Sequence, residues 1–504
     1  MVVERSKRET RVEGAGGARL AVTERSRRTA ATGATDAPKN LRHLASLLLR
    51  VGWSDGGDGV WPVRGERARA RARSMELSDL PDGALAVVLD HVARGPDGIS
   101  DVARASCVNR HFHAMALDRQ RRMRTLDVRS LGRRARHAVP HIARRCTSLR
   151  RVFCDRTNIT DECVTALLTT SALTLERLSL ADCRHLRDLH GARERAEDES
   201  PESPRPFGRL RELDISGSSW SPRALIALLR GARDSLTALN LASTHVSRGS
   251  VRRGDDFGEV ARAVLGCARL RRLNLGAPVD FVVPCLTLKV FAPSAADAEG
   301  PATDAEDGAE AARGVAKPGG ASASVFSSLE ELGFKSNAAV NDDVLARIAA
   351  KCVNLVRIDV RGTAISRQGI EAFVESAPCA SKLNSLLLGG CDSLDDDALR
   401  RVARNCGALV ELDLSMHALL GVLGIEALAE GCPTLRRLRI SRNARVTAEA
   451  LARLASRSAL ETLGAVRCAR AGEAALRLNL GRLAGSCRVD VVGDDFAWTA
   501  SDVG

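Results

Sequence analysis

Cysteine, histidine and arginine are the residue types in this 504-residue sequence that could carry chemistry. The fourteen cysteines include no Cys-x-x-Cys pair, the usual spacing of a redox dithiol and of many zinc sites. Cys107, His111 and His113 have a spacing that metal ligands can use, but they lie within an apolar helical pattern and lack a fourth ligand. The sequence therefore predicts no metal site and no cofactor.

The short motifs of the common enzyme classes are also missing. The sequence contains no phosphate-binding P-loop, no Gly-x-Ser-x-Gly nucleophile turn, no His-Glu-x-x-His zinc motif and no dinucleotide-binding glycine fingerprint. Each motif supplies groups that its reaction needs at a fixed spacing, so these reaction classes have no support here. We therefore predict a protein that is not an enzyme and has no catalytic residue.

The chain is basic, with a formal net charge of +13 at pH 7. Only seven of its 75 basic residues are lysine and tyrosine is absent, a composition typical of a GC-rich coding sequence. The charge is therefore weak evidence for nucleic-acid binding, and aromatic residues for stacking on bases make up only 3% of the chain. The longest apolar run, Ala84 to Leu89, is far too short for a membrane span. We expect neither nucleic acid nor membrane as a partner.

Residues 1–74 are rich in arginine, glycine, alanine and serine, and they predict a disordered basic leader. An organellar transit peptide is one alternative, although such peptides avoid the acidic residues found here. A true start at Met75 is another, and a leader that binds RNA or lipid, with steep salt dependence, is a third. The long chain has scattered cysteines and no secretory signal, which indicates a reduced protein of the cytoplasm or nucleus.

A repeat of the form Leu-x-x-Leu-x-Leu dominates the sequence from about residue 123. Copies that begin between Leu329 and Leu460 follow one another at steps of 25 to 28 residues, within the range of leucine-rich repeats. The alternation buries one face of a short strand, and a helical pattern follows about ten residues later. No single repeat can bury its own apolar face, so the repeats must stack. We predict an α/β solenoid with parallel strands on the concave side and helices on the convex side.

Two insertions interrupt the repeats. We expect a first block over residues 121–292, an acidic low-complexity segment over 293–324, a second block over 325–490 and a tail over 491–504. Residues 191–207 predict a shorter loop within the first block. Leu286, Leu288 and Val290 could form a further, irregular repeat. We predict no obligate homo-oligomer.

The cysteines recur at two points of the repeat. Cys352 and Cys406 lie three residues before the first leucine of their repeats, whereas Cys183 and Cys391 lie three residues after the last apolar strand position. Small buried thiols at recurring corners of a solenoid indicate a role in packing. This pattern resembles the cysteine-containing subclass of leucine-rich repeats.

The segment 76–116 differs from the repeats. Leu80-Pro81 precedes an apolar helical pattern, Asp101-Val102 opens a second one, and the segment continues through Val108-Asn-Arg-His-Phe112. These residues resemble an F-box, with Phe112 at the position where tryptophan is more usual. A cysteine-type repeat array directly after such a segment is typical of one F-box class.

The resemblance implies a small all-α F-box over residues 75–120, ahead of the solenoid. It implies that the chain is the substrate-recognition subunit of an SCF-type (Skp–cullin–F-box) ubiquitin ligase, which binds a Skp-type adaptor and, through it, a cullin. The alternative is a leucine-rich-repeat scaffold that binds a protein outside any ligase. Seven residues would either face the adaptor or hold the F-box helices together. They are Leu80, Pro81, Leu85, Val88, Leu89, Val108 and Phe112.

The residues that flank the fourth and sixth repeat positions should point to the concave face. Arginine there can bond phosphate in a bidentate manner, so Arg437 and Arg439 could read an acidic or phosphorylated motif of a protein substrate. The alternative is that these two arginines pair with Glu411 and Asp413 on the neighbouring strand. The candidate substrate contacts are Arg151, Phe153, Arg357, Arg361, Arg437 and Arg439.

Overall fold

The computed structural model describes residues 110–186, 206–246, 256–277, 283–291, 321–392, 394–465 and 468. The chain forms two compact units, Met1–Gln120 and Arg121–Gly504. In the first unit, the described part belongs to helix α1, Arg110–Arg122, on which Phe112 lies. The other six adaptor-binding candidates, from Leu80 to Val108, lie outside the described residues.

Parallel strands, one from each repeat, form the sheet of the second unit. Twelve strands are described, and they lie side by side in chain order, each paired in parallel with the next. They are β1 Thr125–Asp127, β2 Arg151–Phe153, β3 Arg177–Ser179, β4 Glu212–Asp214, β6 Ala238–Asn240, β8 Arg272–Asn274, β9 Glu331–Gly333, β10 Arg357–Asp359, β11 Ser385–Leu387, β12 Glu411–Asp413, β13 Arg437–Arg439 and β14 Thr462–Gly464. Two further short strands, β5 Ser219–Trp220 and β7 His245–Val246, pair with each other.

Helices connect most of these strands. They are α2 Ala135–Arg145, α3 Asp161–Ser171, α4 Pro222–Ala232, α5 Asp256–Leu265, α6 Val283–Val290, α7 Ala321–Ser328, α8 Asp342–Lys351, α9 Arg367–Ser376, α10 Asp396–Asn405, α11 Val422–Gly431 and α12 Ala448–Arg457, with short 3-10 helices at Arg129–Arg134 and Ala380–Lys382. Several begin at a capping side chain, as expected from the sequence: the backbone N–H of Ala398 donates to Asp395 at 3.0 Å. A strand, a loop and a helix therefore make one repeat.

The core follows the apolar positions of the repeat. In the copy that contains β10, Leu355, Ile358 and Val360 are all buried against the helices. The prediction of an α/β leucine-rich-repeat solenoid is confirmed. The first copy of the repeat precedes the one that begins at Leu149. In this first copy, Met123, Leu126 and Val128 occupy the three apolar positions and are buried.

The segment that contains Leu286, Leu288 and Val290 is a helix, so the expectation of a further irregular repeat is wrong. Leu286 and Val290 lie four residues apart on one face of α6 and are buried, while Leu288 is exposed. The alternation of apolar residues resembles that of the repeat because a segment of eight residues fits both the strand and the helix period. Phe291, just after α6, contacts the rings of Phe326 and Phe334 at centroid distances of 5.5 and 5.6 Å. The repeat is thus continuous across the position of the acidic insertion.

The buried cysteines differ in the hydrogen bonds that they make. Cys352 and Cys406 follow helix ends and are fully buried, and burial raises the pKa of each thiol to about 12. At the same repeat position, Cys267 donates to the carbonyl oxygen of Ala263 at 3.4 Å. At the second position, Cys391 donates through its thiol to the carbonyl oxygen of Val360 at 3.0 Å, and Cys183 donates to that of Cys154 at 3.1 Å. Cys183 and Cys391 therefore pack as expected and, in addition, bond a carbonyl of the preceding repeat.

Other repeats place other donors at this same point. The hydroxyl of Ser218 donates to the carbonyl of Leu180 at 2.5 Å, and the amide of Asn443 donates to that of Leu414 at 2.8 Å. We call these side chains, three residues beyond the sixth repeat position, the donor column: Cys183, Ser218, Asn337, Cys391, His417, Asn443 and Cys468. What they share is a buried donor, and not a particular size or polarity.

Substitution by serine should change the free energy of unfolding little at Cys391 and lower it clearly at Cys352. We expect Cys391→Ser to keep its hydrogen bond to Val360, as Ser218 does with Leu180, and to change the free energy of unfolding by less than about 1 kcal/mol. Cys352→Ser places a hydroxyl in an apolar corner and should cost about 1–3 kcal/mol. Urea unfolding of both variants measures the difference, and equal losses would contradict the distinction.

His417 is the titratable member of the donor column. The backbone N–H of Leu394 donates to its Nδ1 at 3.3 Å, so its Nε2 carries the proton and donates to the carbonyl of Leu388 at 3.1 Å. Burial lowers the pKa of His417, although Asp413 and Asp392 nearby act in the opposite direction. The folded chain therefore holds this imidazole neutral.

Stability should consequently decline as the pH falls below the ordinary histidine pKa of about 6.5, since the unfolded chain then binds a proton that folded His417 does not. The slope is up to about 1.4 kcal/mol per pH unit until the folded pKa is reached. We expect His417→Asn, which copies Asn443, to flatten the dependence of the urea midpoint between neutral and mildly acidic pH. If the urea midpoint of the variant depended on pH as steeply as that of the wild type, groups other than His417 would control the pH dependence of stability.

Candidate functional site

The side chains at the first and third position are partly exposed in many strands of the sheet. In β2 and β3 the middle residue is buried, whereas its neighbours are half-buried or exposed. We call the surface formed by these first and third residues, with the residue two places beyond, the strand face. All six predicted substrate contacts lie on it: Arg151 and Phe153 on β2, Arg357 and Arg361 on and after β10, and Arg437 and Arg439 on β13.

Glu411 is the centre of one ion-pair network on this face. Its side chain is only 3% exposed, and the Arg357 guanidinium donates to it at 2.7 Å from two strands away. The Ser385 hydroxyl, on the strand between them, donates to the same carboxylate at 2.7 Å. Arg437 lies 3.9 Å away on the other side. Arg357 therefore bridges β10 and β12 across β11.

Arg361 forms a second bridge of the same kind. Its guanidinium donates to Asp359 at 2.9 and 2.7 Å and lies 3.6 Å from Asp413, and its side chain is 9% exposed. Leu387 belongs to the strand face of β11, between these partners, and is nevertheless buried. A Cβ at Gly389 would come within 2.9 Å of the Asp413 carboxylate, so glycine leaves room for the acid. The strand face over β10–β12 is thus occupied by its own ion pairs.

These contacts change how the arginine candidates are interpreted. Arg357 and Arg361 already bond carboxylates of this chain and have little capacity left for a ligand. The pairing of Arg437 with Glu411 that the sequence left open is present, but at a longer distance than the bond from Arg357. Arg437 keeps 43% of its side chain exposed. The substrate role of all six residues stays a prediction.

The strand face of the first block is more open. It contains a cavity of about 410 Å³ over β2–β8, and Phe153 lines it beneath the guanidinium of Arg129, which lies 5.4 Å from the ring centroid. Arg151 is exposed and donates to Thr125 at 3.1 Å. Arg177 and Arg272 share the carboxylate of Glu212. The groove therefore offers one ring and several charged groups that are partly accessible.

Asp214 lies at the floor of this groove. It accepts hydrogen bonds from the backbone N–H of Ser216 at 3.0 Å, the Ser216 hydroxyl at 2.7 Å and the Asn240 amide at 3.0 Å. Burial raises the pKa of this carboxyl, although these hydrogen bonds act against the shift. The floor is polar but already satisfied by residues of the chain.

Apolar side chains are exposed on the loop after β12 and at the start of α11. Met416, Leu419 and Leu423 are 52%, 44% and 59% exposed. The positive φ of Met416 recurs at this position of the array, in non-glycine residues such as Ser336 and in Gly390, so it belongs to the repeat and not to this copy alone. Exposed apolar segments of this kind are typical of protein contact surfaces.

No reactive centre is visible in the described part of the chain. Among these residues, no group of three or more histidine, cysteine or acidic side chains is placed to hold a metal ion. No described helix is long and apolar enough to cross a membrane. Burial raises the pKa of the Cys391 thiol to about 11, so it is protonated at neutral pH and a poor nucleophile.

Comparison with known proteins gives matches to solved structures at low TM-scores. No family model matches the sequence. A chain in the crystal structure of the Rad7 and Elc1 complex in yeast matches with a TM-score of 0.49 and 14% identity, over 70% of this chain and 77% of that chain. An internalin from Listeria monocytogenes matches with a TM-score of 0.36 and 18% identity, over 64% of this chain and 69% of that chain. A chain in the crystal structure of a TLR13–ssRNA13 complex matches with a TM-score of 0.37 and 18% identity, over 65% of this chain and 41% of that chain. These values concern architecture alone.

Sequence reasoning missed the bridges across β11 because it compared only neighbouring strands. The signal was available, since Arg357 and Glu411 occupy the same repeat position two copies apart, with the small Ser385 between them. A long arginine side chain can reach over a small residue to the next strand but one. Searching for opposite charges at that spacing finds the Arg357–Glu411 bridge, but not that of Arg361, which lies two residues beyond the position equivalent to Asp413.

Removal of the Glu411 charge should weaken the array. We expect Glu411→Gln to lower the free energy of unfolding by about 1–3 kcal/mol, because Arg357 loses its buried partner. The matched control is Glu426→Gln, which breaks an exposed pair with Arg453 between α11 and α12 and should cost less than about 1 kcal/mol. Urea unfolding compares them, and similar losses would mean that the network contributes no more than a surface pair.

Proposed function

We propose that this chain is the substrate-recognition subunit of an SCF-type ubiquitin ligase. The F-box-like segment docks on a Skp-type adaptor, which connects it to a cullin. The repeat array binds a protein, which the other subunits ubiquitinate for degradation by the proteasome. In this proposal the chain itself is not catalytic and works in the cytoplasm or nucleus.

The order of segments along the chain carries this proposal. The Leu80-Pro81 pattern and the Val108 to Phe112 ending resemble an F-box, and a cysteine-type repeat array follows directly. Helix α1 ends two residues before the first strand of the array. A segment of this length has few apolar residues for a core of its own, so a partner surface would suit it.

The repeat array supplies a surface of a suitable kind for a protein partner. Neighbouring parallel strands lie about 4.8 Å apart, so the twelve described strands present a row of side chains about 50 Å long, measured along the sheet. The open groove at Phe153 and the apolar loop at Met416 add contacts of different character. A surface this extended is better matched to a polypeptide than to a small molecule.

Co-purification of the full chain with a Skp-type adaptor tests the proposal. We expect the wild-type chain to retain the adaptor and the double variant Leu80→Ala/Pro81→Ala to lose at least about tenfold in affinity, since a hydrophobic anchor would be removed. The control is Arg437→Ala, which alters the strand face and should leave adaptor binding unchanged.

Failure of the folded wild-type chain to bind any Skp-type adaptor would contradict the proposal. The scaffold hypothesis would then lead, since it needs the repeat array and no F-box function. Loss of adaptor binding in Arg437→Ala as well would instead assign the contact to the array.

A further inference from the structure

A second groove lies where β4, β6 and β8 begin, at the edge of the sheet and away from the strand face. Its volume is about 980 Å³. Three consecutive repeats line it with the two residues that flank the first leucine of each copy. These six are Arg209 and Arg211, Ser235 and Thr237, and Arg269 and Arg271. We call it the arginine groove.

Small side chains form the floor of the arginine groove. The hydroxyl of Ser235 donates to the carbonyl of Leu210 at 2.8 Å, and that of Thr237 donates to the carbonyl of Arg211 at 3.0 Å. Both hydroxyls are therefore held down against the backbone. The central repeat contributes only these short side chains, whereas the repeats on either side each contribute two arginines. The groove therefore has basic walls.

Arginines of this row normally have an acidic partner in the next repeat. Arg150 donates to Glu176 at 3.0 Å, and Arg436 donates to Glu461 at 2.7 Å. Arg271 bonds Glu330 in the same way at 2.9 Å. Arg211 lacks such a partner, as Arg124 does, because the next repeat offers Thr237 and the Glu176 carboxylate of the preceding repeat already bonds Arg150.

Three guanidinium groups of the groove are therefore uncompensated. Within the described residues, Arg209, Arg211 and Arg269 have no acidic partner, and all three are exposed. The other carboxylates at the groove are engaged: Glu212 with Arg177 and Arg272, and Asp234 with Arg233. The free charge at this edge is positive.

The spacing suits one compact anion. Arg211 and Arg269 lie on two repeats separated by one other repeat, and the strands of those two repeats are about 10 Å apart. Long arginine side chains can close that distance from both sides. A phosphate group between them can accept two parallel N–H bonds from each guanidinium.

We propose that the arginine groove binds a phosphorylated serine or threonine segment of a partner protein. As a statement about the substrate this rests on the proposed function, whereas the site itself is testable without the adaptor. A nucleic acid fits less well, because none of the lining residues is aromatic and Glu176, Glu212 and Asp234 would meet a longer polyanion with negative charge.

The test uses the full chain and a degenerate, fluorescently labelled peptide pool with one fixed phosphoserine, beside the same pool with serine. We expect the phosphorylated pool to bind at least about tenfold more tightly, and the double variant Arg211→Ala/Arg269→Ala to lose that preference. Both arginines are exposed, so the variant should fold, and circular dichroism checks this.

Arg436→Ala is the matched control, because Arg436 occupies the same repeat position but is paired with Glu461, outside the groove. It should bind the phosphorylated pool as the wild type does. Equal affinity for the two pools, an unchanged preference in the double variant, or tighter binding of a single-stranded RNA oligonucleotide would each overturn the proposal. None of these results depends on whether the adaptor binds.

Discussion

At seven of the described strands, the carbonyl at the sixth repeat position accepts a hydrogen bond from a buried side chain of the following repeat. The carbonyl of Val360 is bonded by Cys391, that of Leu388 by His417 and that of Leu414 by Asn443. An unbonded carbonyl at such a depth costs about 1–3 kcal/mol. The backbone ladder between neighbouring parallel strands fixes their register. The donor column adds a second set of hydrogen bonds between repeats, beneath the sheet edge, so that a repeat without its neighbour leaves buried polar groups unpaired.

A fixed register determines where the surface charges meet. Because Ile358, Leu386 and Leu412 lie side by side, the charged residues that flank them are held two strands apart at a constant spacing. Arg357 reaches Glu411 and Arg361 reaches Asp413 across the middle strand. The ion pairs on this part of the strand face therefore hold neighbouring repeats together. The surfaces that we propose for a partner lie elsewhere: in the groove at Phe153, on the apolar segment after β12 and in the arginine groove.

The sequence predicted the part of this structure that depends on a local period. The spacing of Leu355, Ile358 and Val360 specifies a strand and its buried face, and the steps between copies specify a stacked array. Three features were not predictable by that route. The α6 segment is too short for its period to separate helix from strand, Cys391 acts through a carbonyl 31 residues earlier in the chain, and Arg361 acts across an intervening strand. Each depends on contacts between repeats, which a single copy of the pattern does not contain.

A receptor must hold its adaptor and its substrate at the same time, through different surfaces. The most direct measurement is the mass of the complex, by analytical ultracentrifugation, when the full chain is mixed with a Skp-type adaptor and a phosphopeptide-bearing carrier protein. The account predicts a ternary complex, with the affinity for each ligand unchanged by the other. Mutual exclusion of the two ligands would contradict it, because the chain could not then present a bound protein to the ligase.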